Sequence, residues 1–402
     1  MPSRELAKQL DDSDPIADRR SKFLLPEGVV YLDGNSLGAL PAGVPAAVQK
    51  AVAEQWGNHL IRVWTDDGWW DAPNRVGDRI GRLLGAAADQ TVAGETTSVQ
   101  LFNSLTAAAR LRPDRRVMLV DGDGFSTDRY LAASVARMLG LELHSVPMTE
   151  LADHIQAYGE QVAVVAAGAV DFRTGDLWDI QDLTAAAHAV GAVVVWDLCH
   201  AAGAMPLAVD EHKVDFAVGC GYKYLSGGPG APAYIYVARR HHAVLDQPLT
   251  GWHGHVRPFG MAAEYQPAPG ISRARIGSPH MLSLIALDAA LDAFEGVSMQ
   301  DVRAKSLSLS EFFISCVDER LTGRGFELVT PREPHRRGSQ VTISHDSAPS
   351  LMDTLIGRGV IGDVRPPNLL RFGLNALYVS HVDVFEAVET LREITGRNHV
   401  AQ

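Results

Sequence analysis

Lys223 stands in GCGYKYLSGGPG at 219–230, between two tyrosines and just after an apolar run that reads as a buried strand. Taken alone, it is a solvated surface lysine. A lysine partly withdrawn from water beside a cationic ring has a lowered pKa, and its free amine can form a Schiff base with a carbonyl. Asp197 ends a second apolar run, VVVWD. An unpaired carboxylate there is costly unless it meets a cation or water. It either caps a following helix or faces a bound heterocycle. Pyridoxal phosphate needs such a carboxylate, which keeps the pyridine nitrogen protonated so that the ring can take up electrons. Lys223 comes one helix and one strand after Asp197, so neighbouring parallel strands would set the two groups side by side. His200, at the same strand end as Asp197, is either a satisfied loop histidine or a partner beside the cofactor ring. Tyr222 is a packing aromatic or a phenol that binds phosphate and gives up a proton. The GGPG that follows lets the backbone turn tightly.

A phosphate also needs a cradle. GETTSVQLF at 94–102 places Thr96, Thr97 and Ser98 at the start of a helical pattern. Hydroxyls and free amides at a helix N-terminus bind phosphate, although the same residues serve as a plain cap. DGDGFSTDRY at 121–130 offers Phe125 as a ring-stacking group. Its DxDG is not a calcium loop, because the twelfth position is Ala132 and not Glu. No GxxxxGK is present, which removes the P-loop. His253 and His255 alternate in GWHGH, but no further metal ligands can be placed around them.

The elements that must hold these residues alternate. RRVMLVDG at 115–122, VAVVAA at 162–167, AVVVWD at 192–197, FAVGC at 216–220 and AYIYVA at 233–238 read as strands. Residues 43–57, 128–139 and 179–191 read as helices, and two more follow near 280–295 and 302–321. Apolar runs without alternation, separated by helices, imply a mostly parallel sheet covered on both faces. Ligands bind at the carboxyl ends of such strands. From about 325, shorter strands (QVTISH, NLLRFGL) imply a smaller α+β domain, with a boundary near 297–305.

Composition narrows the class. The 402 residues carry a net charge of −12, which speaks against a nucleic-acid groove. Three cysteines, Cys199, Cys220 and Cys316, form no CxxC pair and fit a reducing cytoplasm. No signal peptide is visible, and VAVVAAGAV at 162–170 is too short to span a bilayer.

Beyond these separate signals, several pieces match one family in order. YLDGNSLG at 31–38, FSTD at 125–128, RTG at 173–175, DLCHAAGAMPL at 197–207, DFAVGCGYKYLSGGPG at 215–230, GWHGH at 251–255, RIGSP at 275–279 and RFGLNALY at 371–378 resemble kynureninase, a fold-type I pyridoxal-phosphate enzyme of the aminotransferase superfamily. The resemblance implies a large domain at 51–300 with a seven-stranded sheet between helices. It also implies a small domain at 301–402 and an N-terminal segment, 1–50, packed on that small domain. Lys223 would be the Schiff-base lysine, Asp197 the pyridinium partner with His200 beside it, and Phe125 the stacking ring. Asp128 would lie near the cofactor's phenolic oxygen, with Thr97, Ser98 and Tyr222 at its phosphate. Tyr222 would also move protons. Trp252 and Ser278 would reach the phosphate from a partner subunit, which implies a homodimer with shared active sites. Arg371 would clamp the substrate α-carboxylate, a bidentate task for a guanidinium, and Asn35 would also bind substrate.

The implied reaction is hydrolysis of a C–C bond in L-kynurenine to anthranilate and L-alanine, part of tryptophan catabolism. Where animal members that prefer 3-hydroxykynurenine carry His, Ser and Asn, this chain has Trp64, Gly277 and Ser278, so kynurenine itself is the expected substrate. Two other enzymes share the cofactor set. A cysteine desulfurase would carry histidine before the lysine and a reactive loop cysteine, whereas Tyr222 precedes Lys223 and Cys316 lies in a helical stretch. An aminotransferase would release no anthranilate. A binding protein that has lost catalysis would not need Lys223, Asp197 and Arg371 intact.

Overall fold

VMLVD, VAVVAAG and VVVWD show no alternation of apolar and polar residues, so strands built from them must be covered on both faces. In the computed structural model, which describes residues 1–397, they form the middle of a seven-stranded sheet. Its strands are β1 Thr91–Ala93, β2 Val117–Asp121, β3 Glu142–Val146, β4 Val162–Gly168, β5 Val193–Asp197, β6 Phe216–Gly219 and β7 Tyr234–Val237. Their spatial order is β1-β7-β6-β5-β4-β2-β3. Only β7 runs against its neighbours, β1 and β6. This is the mostly parallel sheet of the fold-type I class. The Thr97–Arg110 helix packs against β4, β5 and β6.

A second, antiparallel sheet follows: β8 Glu327–Leu328, β9 Gln340–Ser344, β10 Asp363–Arg365 and β11 Leu369–Gly373, in the order β8-β9-β11-β10. Helices Met299–Arg320, Ala348–Ile356 and His381–Arg397 accompany it. The YLDGNSLG segment connects the two sheets. Val30–Tyr31 pairs with Val360–Ile361, Asp33 bridges to Gly373, and the Gly38 amide donates to the Tyr222 carbonyl at 2.7 Å. One short segment therefore ties the strand carrying Arg371 to the turn carrying Lys223.

Four local expectations change. The connection between β5 and β6 contains turns and no helix. After Leu198 the chain makes one turn, with Ala202 N donating to Leu198 O at 2.9 Å; Gly203 then takes φ +80° and Pro206 follows. A glycine in the left-handed region and a proline end the helix before it can extend. Asp197 accordingly caps no helix: its Oδ1 accepts from the Cys199 amide at 2.7 Å. The helix expected over 43–57 is α-helical only at Val44–Lys50 and continues as a π-helix over Ala51–His59. The helix expected over 280–295 is α-helical at Met281–Ala290 and tightens to 3-10 geometry at Leu291–Phe294. Strands β1 and β3 had no sequence counterpart. β1 is a three-residue edge strand. β3 lies on the opposite edge, is partly exposed, and lacks the valine run that marks the central strands.

Candidate active site

Register places the site. Asp197 pairs with Gly168 on β4 and with Val218 on β6, so the carboxyl ends of three parallel strands lie together. Lys223 follows the end of β6 in a turn closed by Ser226 N to Lys223 O at 2.9 Å and Gly227 N to Gly221 O at 2.8 Å. Gly38 packs on this turn so closely that a Cβ there would stand 2.7 Å from Ser226 Cα, and closer still to the Lys223 carbonyl. Of the residues singled out in the sequence, Asn35, Thr97, Ser98, Phe125, Asp128, Asp197, His200, Tyr222, Lys223 and Arg371 all line one cavity of about 410 Å³.

Lys223 Nζ lies 2.8 Å from His200 Nε2. Burial, and then the Lys223 charge, hold His200 well below its ordinary pKa, so the ring is neutral and accepts from the lysine. Its Nδ1 is buried without a partner among the described residues. Asp128, in the first turn of the Ser126–Leu139 helix, is held well above the usual carboxylate range, first by burial and then by Asp197 against it. Two half-buried carboxyl groups so close together favour a cation or an N–H donor between them. The Tyr222 phenol is also pushed up, first by burial and then by Cys220, so it stays protonated and able to donate.

Thr96 is the N-cap of the Thr97–Arg110 helix; its Oγ1 accepts from Val99 N at 3.3 Å. Thr97 and Ser98 therefore occupy the first turn, whose amides have no partner within the helix, and both residues line the cavity. Phe125 is 46% exposed at the cavity wall, edge-on to Phe172 at 5.3 Å. The Asn35 side-chain amide lies between Asp33 and Arg371, its Nδ2 donating to Asp33 Oδ1 at 3.3 Å and its Oδ1 accepting from Arg371 Nε at 3.1 Å.

Arg371 is fully buried. Its guanidinium is already engaged: Nε donates to Asp363 Oδ1 at 2.8 Å, Nη2 donates to Asp363 Oδ2 and to Ser36 Oγ, and Nη1 donates to Phe172 O. Ser36, Phe172, Asp363 and Arg365 had not been singled out. No sequence signal marks Asp363 and Arg365, because only the register of the hairpin sets DVR opposite the strand containing Arg371.

Trp64, Trp252, Gly277 and Ser278 do not line this cavity. They belong to a separate surface. Trp70 lies 5.5 Å from Trp252 and 4.4 Å from His253, and Trp64 lies 6.2 Å from Trp69. Gly277 and His253 share a neighbouring cleft, and Ser278 is exposed. His253 and His255 have separate partners: His253 Nε2 meets Arg275 at 3.2 Å and His255 Nδ1 accepts from Arg257 N at 2.8 Å. Cys316 is completely buried within the Met299–Arg320 helix, as a core residue.

Residues 302–391 match the family model described as the kynureninase C-terminal domain. A Deinococcus radiodurans protein named kynureninase is 48% identical over 396 residues, covering 96% of each chain. A Burkholderia mallei protein of the same name is 43% identical over 398 residues, covering 98% of this chain and 96% of its own. The fold is also that of a cysteine desulfurase from Thermococcus onnurineus, with TM-score 0.80 at 17% identity, covering 94% of this chain and 98% of that one. A mutant of C-DES with glycine covalently linked to its PLP cofactor superposes with TM-score 0.79 at 13% identity, covering 98% of this chain and 100% of that one.

Proposed function

The chain belongs to the kynureninase family, and on that premise we propose that the cavity around Lys223 is where it hydrolyses L-kynurenine to anthranilate and L-alanine. The protein is a pyridoxal-phosphate-dependent enzyme of this activity. One observation carries the assignment of the site: Lys223, the Asp128–Asp197 pair and Arg371 line a single cavity.

The residues present fit the cofactor. The facing carboxyls of Asp128 and Asp197 call for a cationic or N–H-bearing ring, and the first turn at Thr97–Ser98 suits a phosphate. Asp197 would hold the ring nitrogen, Asp128 would lie toward the phenolic edge, His200 and Phe125 would flank the ring, and Thr97, Ser98 and Tyr222 would hold the phosphate. Bound there, the cofactor supplies an electron sink that makes the substrate Cα–H acidic and lets the Cβ–Cγ bond break after water has added to the side-chain carbonyl. Arg371 and Asn35 orient the substrate. The Lys223 amine takes the Cα proton, with His200 as its hydrogen-bond partner. Tyr222 donates a proton from a phenol that burial keeps un-ionised.

The test is direct. The loaded protein is incubated with L-kynurenine and watched for fluorescent anthranilate. Loss of kynurenine only when a 2-oxo acid is added, with no anthranilate formed, would instead indicate an aminotransferase.

We also infer a homodimer in which Trp252, Ser278, Gly277 and Trp64 complete the neighbouring copy's cavity. Their absence from their own cavity supports this, as does the apolar surface around them, including Ile61 at 78% and Phe259 at 70% exposed. Lys223→Ala mixed with Trp252→Ala should regain activity that neither has alone; if the mixture stays inactive, shared sites are wrong. We infer a preference for kynurenine over 3-hydroxykynurenine, because Trp64 and Gly277 offer no polar side chain comparable to the His and Ser of the members that prefer the hydroxylated substrate; a higher kcat/KM on the hydroxylated substrate would refute that preference. The division into 1–50, 51–300 and 301–402 is proposed on the pairing of the N-terminal segment with the second sheet. No helix among the described residues is long and apolar enough to cross a membrane. A cytoplasmic location and the lack of a nucleic-acid partner are proposed from the three free cysteines and the net charge of −12.

A further inference from the structure

The β10–β11 hairpin sets Asp363 opposite Arg371 and Arg365 opposite Leu369. Side chains alternate along a strand, so Asp363, Arg365 and Arg371 share one face, and both arginines line the Lys223 cavity. Arg371 gives its Nε–Nη2 edge to Asp363, its second Nη2 hydrogen to Ser36 and one Nη1 hydrogen to Phe172 O. A guanidinium has five N–H groups, so one Nη1 hydrogen is left. A two-pronged hold on a second carboxylate needs two N–H groups side by side. Arg371 cannot supply both in this arrangement.

Arg365 can complete the pair. Its Nη2 donates to Asp363 Oδ2 at 2.8 Å, and its Nε is buried with no partner among the described residues. The side chain is 32% exposed and lines the cavity, and its two Nη1 hydrogens and second Nη2 hydrogen are not used by Asp363. Asp363 lies between two guanidiniums, Asp33 beside it does not line the cavity, and the two acids that do, Asp128 and Asp197, are outnumbered there by Lys223, Arg365 and Arg371. The local charge therefore favours one incoming anion. We propose that Arg365 is a substrate-binding, specificity-determining residue that holds the substrate α-carboxylate together with Arg371, while Asp363 fixes both guanidiniums. This rests on the reading that Arg371 faces the substrate carboxylate.

The test uses the holoenzyme and two ligands that differ only in charge: the deamino acid analogue of kynurenine and its carboxamide. Binding is measured by calorimetry, beside steady-state kinetics on L-kynurenine. Arg365→Gln should weaken the acid on the order of ten- to a hundred-fold. KM should rise to match, with kcat changed less, and the carboxamide should stay within about twofold. Arg365→Lys keeps the charge without the planar fork and should fall between. If Arg365→Gln does not fold, the same comparison is made on Arg365→Lys, where any selective loss of the acid supports the proposal. Equal loss of both ligands, or no loss of either, overturns it and leaves Arg365 a structural partner of Asp363. If the unsubstituted holoenzyme fails to prefer the acid, the role of Arg371 itself falls; if it prefers the acid and Arg365 variants do too, only this proposal falls.

Discussion

Lys223 Nζ and His200 Nε2 share a hydrogen bond of 2.8 Å, and the other ring nitrogen of His200 is buried with no partner among the described residues. A neutral imidazole in contact with the lysine orients its amine without competing for charge. His200→Leu removes the acceptor and should lower kcat/KM on the order of ten- to a hundred-fold. His200→Gln keeps an acceptor and should lose less. Steady-state kinetics on both variants, with cofactor content measured by absorbance, check this; equal activity of His200→Leu and unsubstituted protein would contradict it.

Tyr222 is buried enough to stay protonated through neutral pH. Tyr222→Phe keeps the ring and removes the proton. A positioned general acid is worth roughly a hundred- to ten-thousand-fold, so kcat should fall within that range while the loaded cofactor keeps its absorbance. A variant that binds the cofactor and turns over at full rate would remove Tyr222 from the chemistry.

Gly38 touches the Lys223 turn where a methyl group has no room. Gly38→Ala should cost about 1–3 kcal/mol of stability and lower activity by shifting Lys223. Gly43→Ala is the control, because nothing lies within 4 Å of a Cβ there. Denaturant melts and activities of the two variants should differ; parallel behaviour would mean that the contact does not position the lysine.

Asp33 lies under the Arg371 strand, with its carboxyl pushed up to about 6 by burial and then by Asp363. An acid whose folded pKa is raised contributes stability below its unfolded value, about 4, and that contribution is lost as pH rises through the folded value. Asp33→Asn cannot ionise. Its melting temperature relative to the unsubstituted protein should therefore rise between about pH 4 and about pH 7. A difference that stays constant with pH would show that Asp33 is not shifted.

Much of this site could be read from where apolar runs stop. VVVWD and DFAVGC end at Asp197 and just before Lys223, and two covered parallel strands have few ways to arrange such ends. The TTS piece was legible because helix starts carry recognisable polar residues, whereas the place of Asp128 came from the family resemblance. Asp363 and Arg365 were not legible, since DVR reads as an ordinary exposed strand until its register against Arg371 is known. The turns after Asp197 were missed because DLCHAAGAMPL is rich in alanine, which favours helix, while Gly203 and the tight burial of the alanines decide otherwise. Trp64 and Trp252 were assigned to the site from the resemblance, and only the folded chain separates them from their own cavity.

The central claim is that kynurenine is cleaved in the Lys223 cavity. It is tested most directly by measuring anthranilate and alanine from L-kynurenine with the loaded protein and with loaded Lys223→Ala. The account predicts both products in equal amounts from the unsubstituted protein, and a loss of at least about a thousandfold in the variant. Absence of anthranilate from the unsubstituted protein, or comparable turnover by Lys223→Ala, would contradict it.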